Sequence, residues 1–166
     1  MCPMEYNWAK KKMKKNLRLL FLAALAVMVC FSSCTKNPEK LIVGKWKVES
    51  VRCSDDEFGE YFEDDKGETW KFDEDGTFKG YLSLLEGDVE CDYICDDYSL
   101  ELSGGDLTMS YGDEKITVVF EFEIEEISRK EMSLSGKCKI NYRDYYEGYD
   151  ESYTISGIKY ELEKKK

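Results

Sequence analysis

With 166 residues, 24 basic against 35 acidic side chains, a net charge of −11 and no histidine, the chain narrows its own function at the outset. A surface this negative repels nucleic acid, and the absence of imidazole removes the commonest general base and a principal zinc ligand. The length suits one hydrophobic core, not two.

The first signal in the chain is a leader. Lys14, Lys15 and Arg18 precede an apolar run from Leu19 to Val29, and Ser32 and Ser33 lead into Cys34. That is the charged, apolar and small-residue order of a secretory signal. The run is too short to span a bilayer, which takes about 20 apolar residues in a helix. It reads more naturally from Met13 than from Met1. The ending Phe31-Ser32-Ser33-Cys34 resembles the lipobox of bacterial lipoproteins, with Phe31 in place of the usual leucine. The resemblance implies cleavage before Cys34, a lipid on its thiol, and residence in the bacterial cell envelope as an outer-membrane lipoprotein. Cys30 is the poorer candidate, because Val27-Met28-Val29 offers no small residue for cleavage. On this reading residues 1–33 are a signal helix, 34–42 a lipidated tether containing Pro38, 43–163 the folded domain and 164–166 a basic tail.

The leader holds six of the basic residues and one acid, so the processed chain carries 18 basic and 34 acidic side chains, a net of −16. Such a surface reads first as a solvated exterior, and beyond that as one suited to cationic partners or divalent ions. Four cysteines remain: Cys53, Cys91, Cys95 and Cys138. In an exported chain an even set of four reads as disulfides, with three pairings open. A single C-x3-C pair without histidine is poor zinc spacing, so no metal is expected.

Past the tether the pattern becomes alternation. Val43 to Val51 places Trp46 and Val48 on one face and Lys45, Lys47 and Glu49 on the other. Glu68 to Phe72 turns Trp70 and Phe72 inward, and Asp73-Glu74-Asp75-Gly76 feeds a third strand with Phe78 and Leu82 inward, a hairpin signal. A fourth strand shows Tyr98, Leu100 and Leu102, and after Ser103-Gly104-Gly105-Asp106 a fifth shows Leu107, Met109 and Tyr111. The sixth alternates most clearly, with Ile116, Val118, Phe120, Phe122 and Ile124 opposite Val119, Glu121, Glu123 and Glu125. The seventh places Met132, Leu134, Cys138, Ile140 and Tyr142 inside, with Lys137 and Lys139 outside and able to pair with the neighbouring glutamates. The eighth changes parity between Ile155 and Ile158, which a bulge at Gly157 reconciles. No amphipathic helix is expected after the leader.

Eight strands with one apolar face and mostly short connections predict an all-β fold, an eight-stranded up-and-down antiparallel barrel, since closure removes the unpaired edges of so long a meander. Gly44-Lys45-Trp46 is similar to the G-x-W that opens lipocalins, and Trp70-Lys71-Phe72 running on to Asp75-Gly76-Thr77-Phe78 resembles the lipocalin-like domains of Bacteroidetes lipoproteins. The likeness covers residues 41–163 and implies a binding barrel. Lipocalins also pack a late arginine on that tryptophan, and here no arginine follows Arg143.

In an up-and-down meander the connections alternate between two ends. Residues 52–67, 83–97, 112–114 and 143–150 then share one end, while the turns at 73–76, 103–106 and Ser128 share the other. The long-loop end is the expected mouth. It is rich in acids such as Asp55, Asp56, Asp65, Asp96 and Asp144, and it should hold Cys53, Cys91 and Cys95.

Two binding functions follow. The leading one is a membrane-tethered barrel that holds a small apolar or amphipathic ligand among Trp46, Trp70, Phe72, Phe120, Phe122 and Tyr142. The alternative is a protein-interaction module of the envelope, an adhesin, inhibitor or accessory subunit, using acidic loops with Tyr145, Tyr146 and Tyr149 as its contact face. A small barrel can equally fill its interior with its own side chains, and this separates the two. Catalysis is not expected: the carboxylates lie in runs or on wet faces and the serines have no nucleophile setting. No cofactor or nucleic-acid partner is expected.

Overall fold

A computed structural model describes residues 37–166. The leader and Cys34, with the lipidation expected there, lie outside the described residues. Nine strands follow a short helix: α1 (Pro38–Ile42), β1 (Gly44–Cys53), α2 (Gly59–Glu63), β2 (Thr69–Phe72), β3 (Thr77–Leu82), β4 (Gly87–Asp96), β5 (Ser99–Ser103), β6 (Thr108–Tyr111), β7 (Glu114–Ile127), β8 (Glu131–Asp144) and β9 (Tyr149–Lys164). All pairings are antiparallel, β1 pairs with β9, and β5 pairs with β7, so eight strands close into a barrel. The ninth, β6, pairs with β7 alone.

The count of eight staves agrees with the sequence, but one stave is different. Residues 87–96, expected as loop, form β4, which pairs with both β3 and β5. Val89 and Cys91 are buried in alternation with exposed Asp88, Glu90 and Asp92, the pattern of a half-buried strand. The strand expected over Leu107 to Tyr111 is instead the short outer strand β6, because Leu100 and Leu102 take the inward register against Phe122 and Phe120. The sorting of the ends shifts accordingly. The 103–106 segment belongs to the long-loop end and the Asp97-Tyr98 turn to the base. Cys95 therefore lies toward the base, not the mouth.

Bulges keep each strand's apolar side inward. β1 slips between Val48 and Ser50, so the inward set passes from the buried Trp46 and Val48 to the half-buried Val51 and Cys53. β9 slips opposite Gly136 and Lys137, where Gly157 is the extra residue, as its parity predicted. The outward charges pair as expected where Glu121 meets Lys137 at 3.1 Å and also Lys139; Lys159 of β9 reaches Glu125 at 3.2 Å as well.

Two five-residue helices, absent from the sequence reading, stop the ends. At the base, Asn37 caps α1 through the Lys40 amide, and Pro38 takes a first-turn position where its missing N–H costs nothing. Ile42 is fully buried and its carbonyl accepts the Trp46 indole N–H at 2.6 Å. The tether expected over 34–42 is thus part of the folded domain from Pro38 onward. At the other end α2 buries Phe62 in the same core.

Candidate functional site

The six residues expected to wall a cavity do not act as one set. Trp46, Trp70, Phe72, Phe120 and Phe122 are all buried at 3% exposure or less. A chain of ring contacts crosses the barrel from Phe72 to Phe78 (5.2 Å between centroids), to Trp70 (5.5 Å), Tyr160 (4.6 Å), Phe122 (5.7 Å) and Phe120 (6.0 Å). Rings spaced this closely, in tilted, edge-on and stacked pairs, touch one another, and their contacts fill the space that a guest between these walls would need. Tyr142 stands apart, above the closed part of the barrel.

Among the described residues the filled interior carries one carboxylate. Asp65, in the loop after α2, is 1% exposed and accepts the Tyr160 hydroxyl at 2.5 Å and the Ser83 amide at 2.6 Å. Burial raises its pKa above the ordinary carboxylate value, against the lowering effect of those hydrogen bonds. Burial, with Asp65 beside it, pushes Tyr160 well above a free phenol.

At the opposite end Lys164 completes the G-x-W motif. Its Nζ lies 4.8 Å from the centre of the Trp46 ring and donates to the carbonyls of Leu41 at 2.8 Å and Val43 at 2.7 Å. The cation that sequence comparison sought as an arginine is therefore this lysine, from the stretch read as a basic tail. Gly44 makes room for it: its φ is +130°, and a Cβ there would meet Lys164 Cε at 2.8 Å.

Among the described residues the four cysteines, Cys53, Cys91, Cys95 and Cys138, are free thiols. The local pairing Cys91–Cys95 is excluded by the strand itself: four residues along β4 span ~13 Å, about twice the reach of a disulfide. Cys53, at the end of β1, is separated from β4 by β2 and β3. Burial pushes the Cys91 and Cys138 thiols up to about 12 and Cys95 up to about 11.

The second candidate lies outside the barrel. β7, β8 and β9 run 14, 14 and 16 residues, far longer than the staves β2, β3 and β5. Their surplus, with β6 alongside, stands beyond the closed part as a four-stranded sheet. Register places Ile116 beside Tyr142, Ile140 beside Tyr153, and Asp144 beside Tyr149 on the face that continues the barrel's inner surface. Met109 and Tyr111 extend that face onto β6. It is open: Tyr111, Tyr149 and Tyr153 are 64%, 47% and 50% exposed. Tyr142 and Tyr149 meet edge-on at 6.3 Å, and Tyr153 donates to Glu151. Hydrogen bonding to Glu151 raises the Tyr153 pKa, and desolvation beside Glu114 raises that of Tyr142. The contact-loop residues Tyr145 and Tyr146 are also exposed, at the tip of the same β8–β9 hairpin.

A closed antiparallel barrel opened by a G-x-W whose tryptophan is covered by a late cation is the architecture of a lipocalin-type binding protein. The lipocalin-like domain family model matches residues 42–134, and the chain belongs to that family. The family typically comprises binding proteins rather than enzymes, and ligand binding is the activity its fold suggests. No curated protein and no solved structure matches the chain. The matched span ends early in β8, so Tyr142, Tyr149 and Tyr153 lie beyond it.

Proposed function

We propose that this protein is an envelope lipoprotein, anchored through Cys34, that works as a protein-interaction module, with its contact face on the sheet that extends past the barrel. The observation that carries this reading is the ring chain from Phe72 to Phe120: the interior is occupied by side chains, while the tyrosines of the extension are left open. The chain enters at the base, where α1 begins, so a lipid on Cys34 holds the base toward the membrane and turns the contact face away from it. The small apolar ligand expected from the family resemblance then has no place between those rings.

Native mass spectrometry of the protein purified from its own membrane tests both parts. The mature chain should begin at Cys34 and carry acyl mass, and it should hold no stoichiometric small molecule. A co-purifying apolar ligand whose release opens the ring cluster would restore the carrier, and a mature terminus without acyl mass would remove the anchor.

A further inference from the structure

The extension separates its charges by face. On the outer side lie Lys115, Lys139 and Arg143, with Arg143 bound to Asp150 at 2.6 Å. On the inner side of the extension register places Glu114, Asp144 and Glu151 among the tyrosines, and no lysine or arginine from residues 108–118, 138–144 or 149–155.

Resting on the contact face proposed above, we infer that its occupant is a basic segment of a partner protein, whose lysine or arginine side chains lie on the tyrosine rings and end at Glu114, Asp144 and Glu151, with apolar side chains between them on Met109, Ile116 and Ile140. Tyrosine faces attract cations and become more attractive as they are desolvated, and carboxylates at the ring edges add charge-assisted hydrogen bonds. A second copy is a poor occupant, because two faces of the same negative sign repel. A small organic cation is a poor one too: Tyr142 and Tyr149 already touch edge-on, leaving no slot between facing rings. Six residues of β8 and β9 span ~20 Å and four strands ~15 Å, a patch of roughly 300 Å². That is a peptide's footprint, well below the ~800 Å² per partner of a globular interface.

The test titrates the purified chain with three twelve-residue peptides on one Ser/Leu scaffold bearing four lysines, no charge or four glutamates, read by backbone amide shifts. The lysine peptide should bind alone, shift residues 109–118 and 139–154, and weaken about tenfold at high salt. Glu114→Gln/Glu151→Gln should weaken it comparably, while Glu49→Gln/Glu163→Gln, with the same loss of net charge at the base, should leave it unchanged. Both double variants keep side-chain size, and Tyr142→Ser serves as an independent probe of the face. Equal weakening by the two double variants, or shifts spread over the barrel, would reduce the effect to net charge and overturn the inference. If the neutral peptide binds the same residues as well as the lysine peptide, the contact face stands and the basic partner falls. Binding by none of the three removes the basic segment while leaving the anchor and the filled interior to be judged by mass spectrometry.

Discussion

The Tyr160 hydroxyl donates to Asp65 Oδ2 at 2.5 Å inside the core, joining β9 to a loop 95 positions earlier in the chain. The other carboxyl oxygen takes the Ser83 amide, so one buried side chain ties the loop after α2, the start of the 3-10 turn after β3 and the last stave together. Replacing Asp65 by Ala leaves a phenol and an amide without partners, each costing about 1–3 kcal/mol when buried. A total loss of about 2–4 kcal/mol in urea denaturation is expected, and a loss below about 0.5 kcal/mol would show that the contact is not made.

Asp65 also sets a pH dependence. Its folded pKa is raised above the 3.8 of a free carboxyl, chiefly by burial, so the folded state holds the proton more tightly than the unfolded one. The contribution to stability is complete below 3.8 and is lost as pH rises through the folded value. Asp65→Asn should flatten this part of the profile above pH 3.8, measured as the midpoint of denaturation. An unchanged slope would mean that another group carries it.

Lys164 closes the base by covering Trp46 and serving two carbonyls at the C-terminal end of α1. Lys164→Met keeps the stem but loses the charge, leaving two carbonyls and the ring face unserved, and should cost about 1–3 kcal/mol. Lys164→Arg, which retains a cation, should restore most of that. Equal melting temperatures for the Met and Arg variants would argue against the clasp.

Gly157 sits at φ +72°, and an added Cβ would fall 1.9 Å from Ser54 Oγ. Gly157→Ala therefore meets backbone strain and a clash together, for an expected loss of about 1–3 kcal/mol. Ser54→Gly in the same chain should recover the steric part only. A Gly157→Ala variant as stable as the parent would place the bulge elsewhere.

The thiols give a kinetic test. Cys91 and Cys138 are buried with pKa values of about 12, so at pH 8 almost none is thiolate and neither is accessible. Both should label with a maleimide only on unfolding, with mass unchanged by reductant before it. Rapid labelling of either in the folded protein would mean that the barrel opens locally.

Much of the fold was legible because period-two alternation survives wherever one face is wet and the other dry, as from Ile116 to Ile124. β4 was missed because Asp88, Glu90, Asp92 and Asp96 made a strand look like an acidic loop, although Val89 and Cys91 keep the same alternation. Parity alone also could not show that β5 skips β6 to pair with β7. A signal for the extension was present in the uninterrupted alternation through Tyr142 and beyond, longer than a small barrel's wall requires.

By itself the sequence determined the class of structure and the inward side of most strands, since alternation, turn residues and the glycine bulge act between near neighbours. Only the tertiary structure decided which strands close the barrel, that the rings of β2, β3, β7 and β9 meet and fill it, and that the tyrosines of β6, β8 and β9 share one open face. Those outcomes depend on distances between residues far apart in the chain, and the local pattern of apolar and polar residues carries no record of such distances.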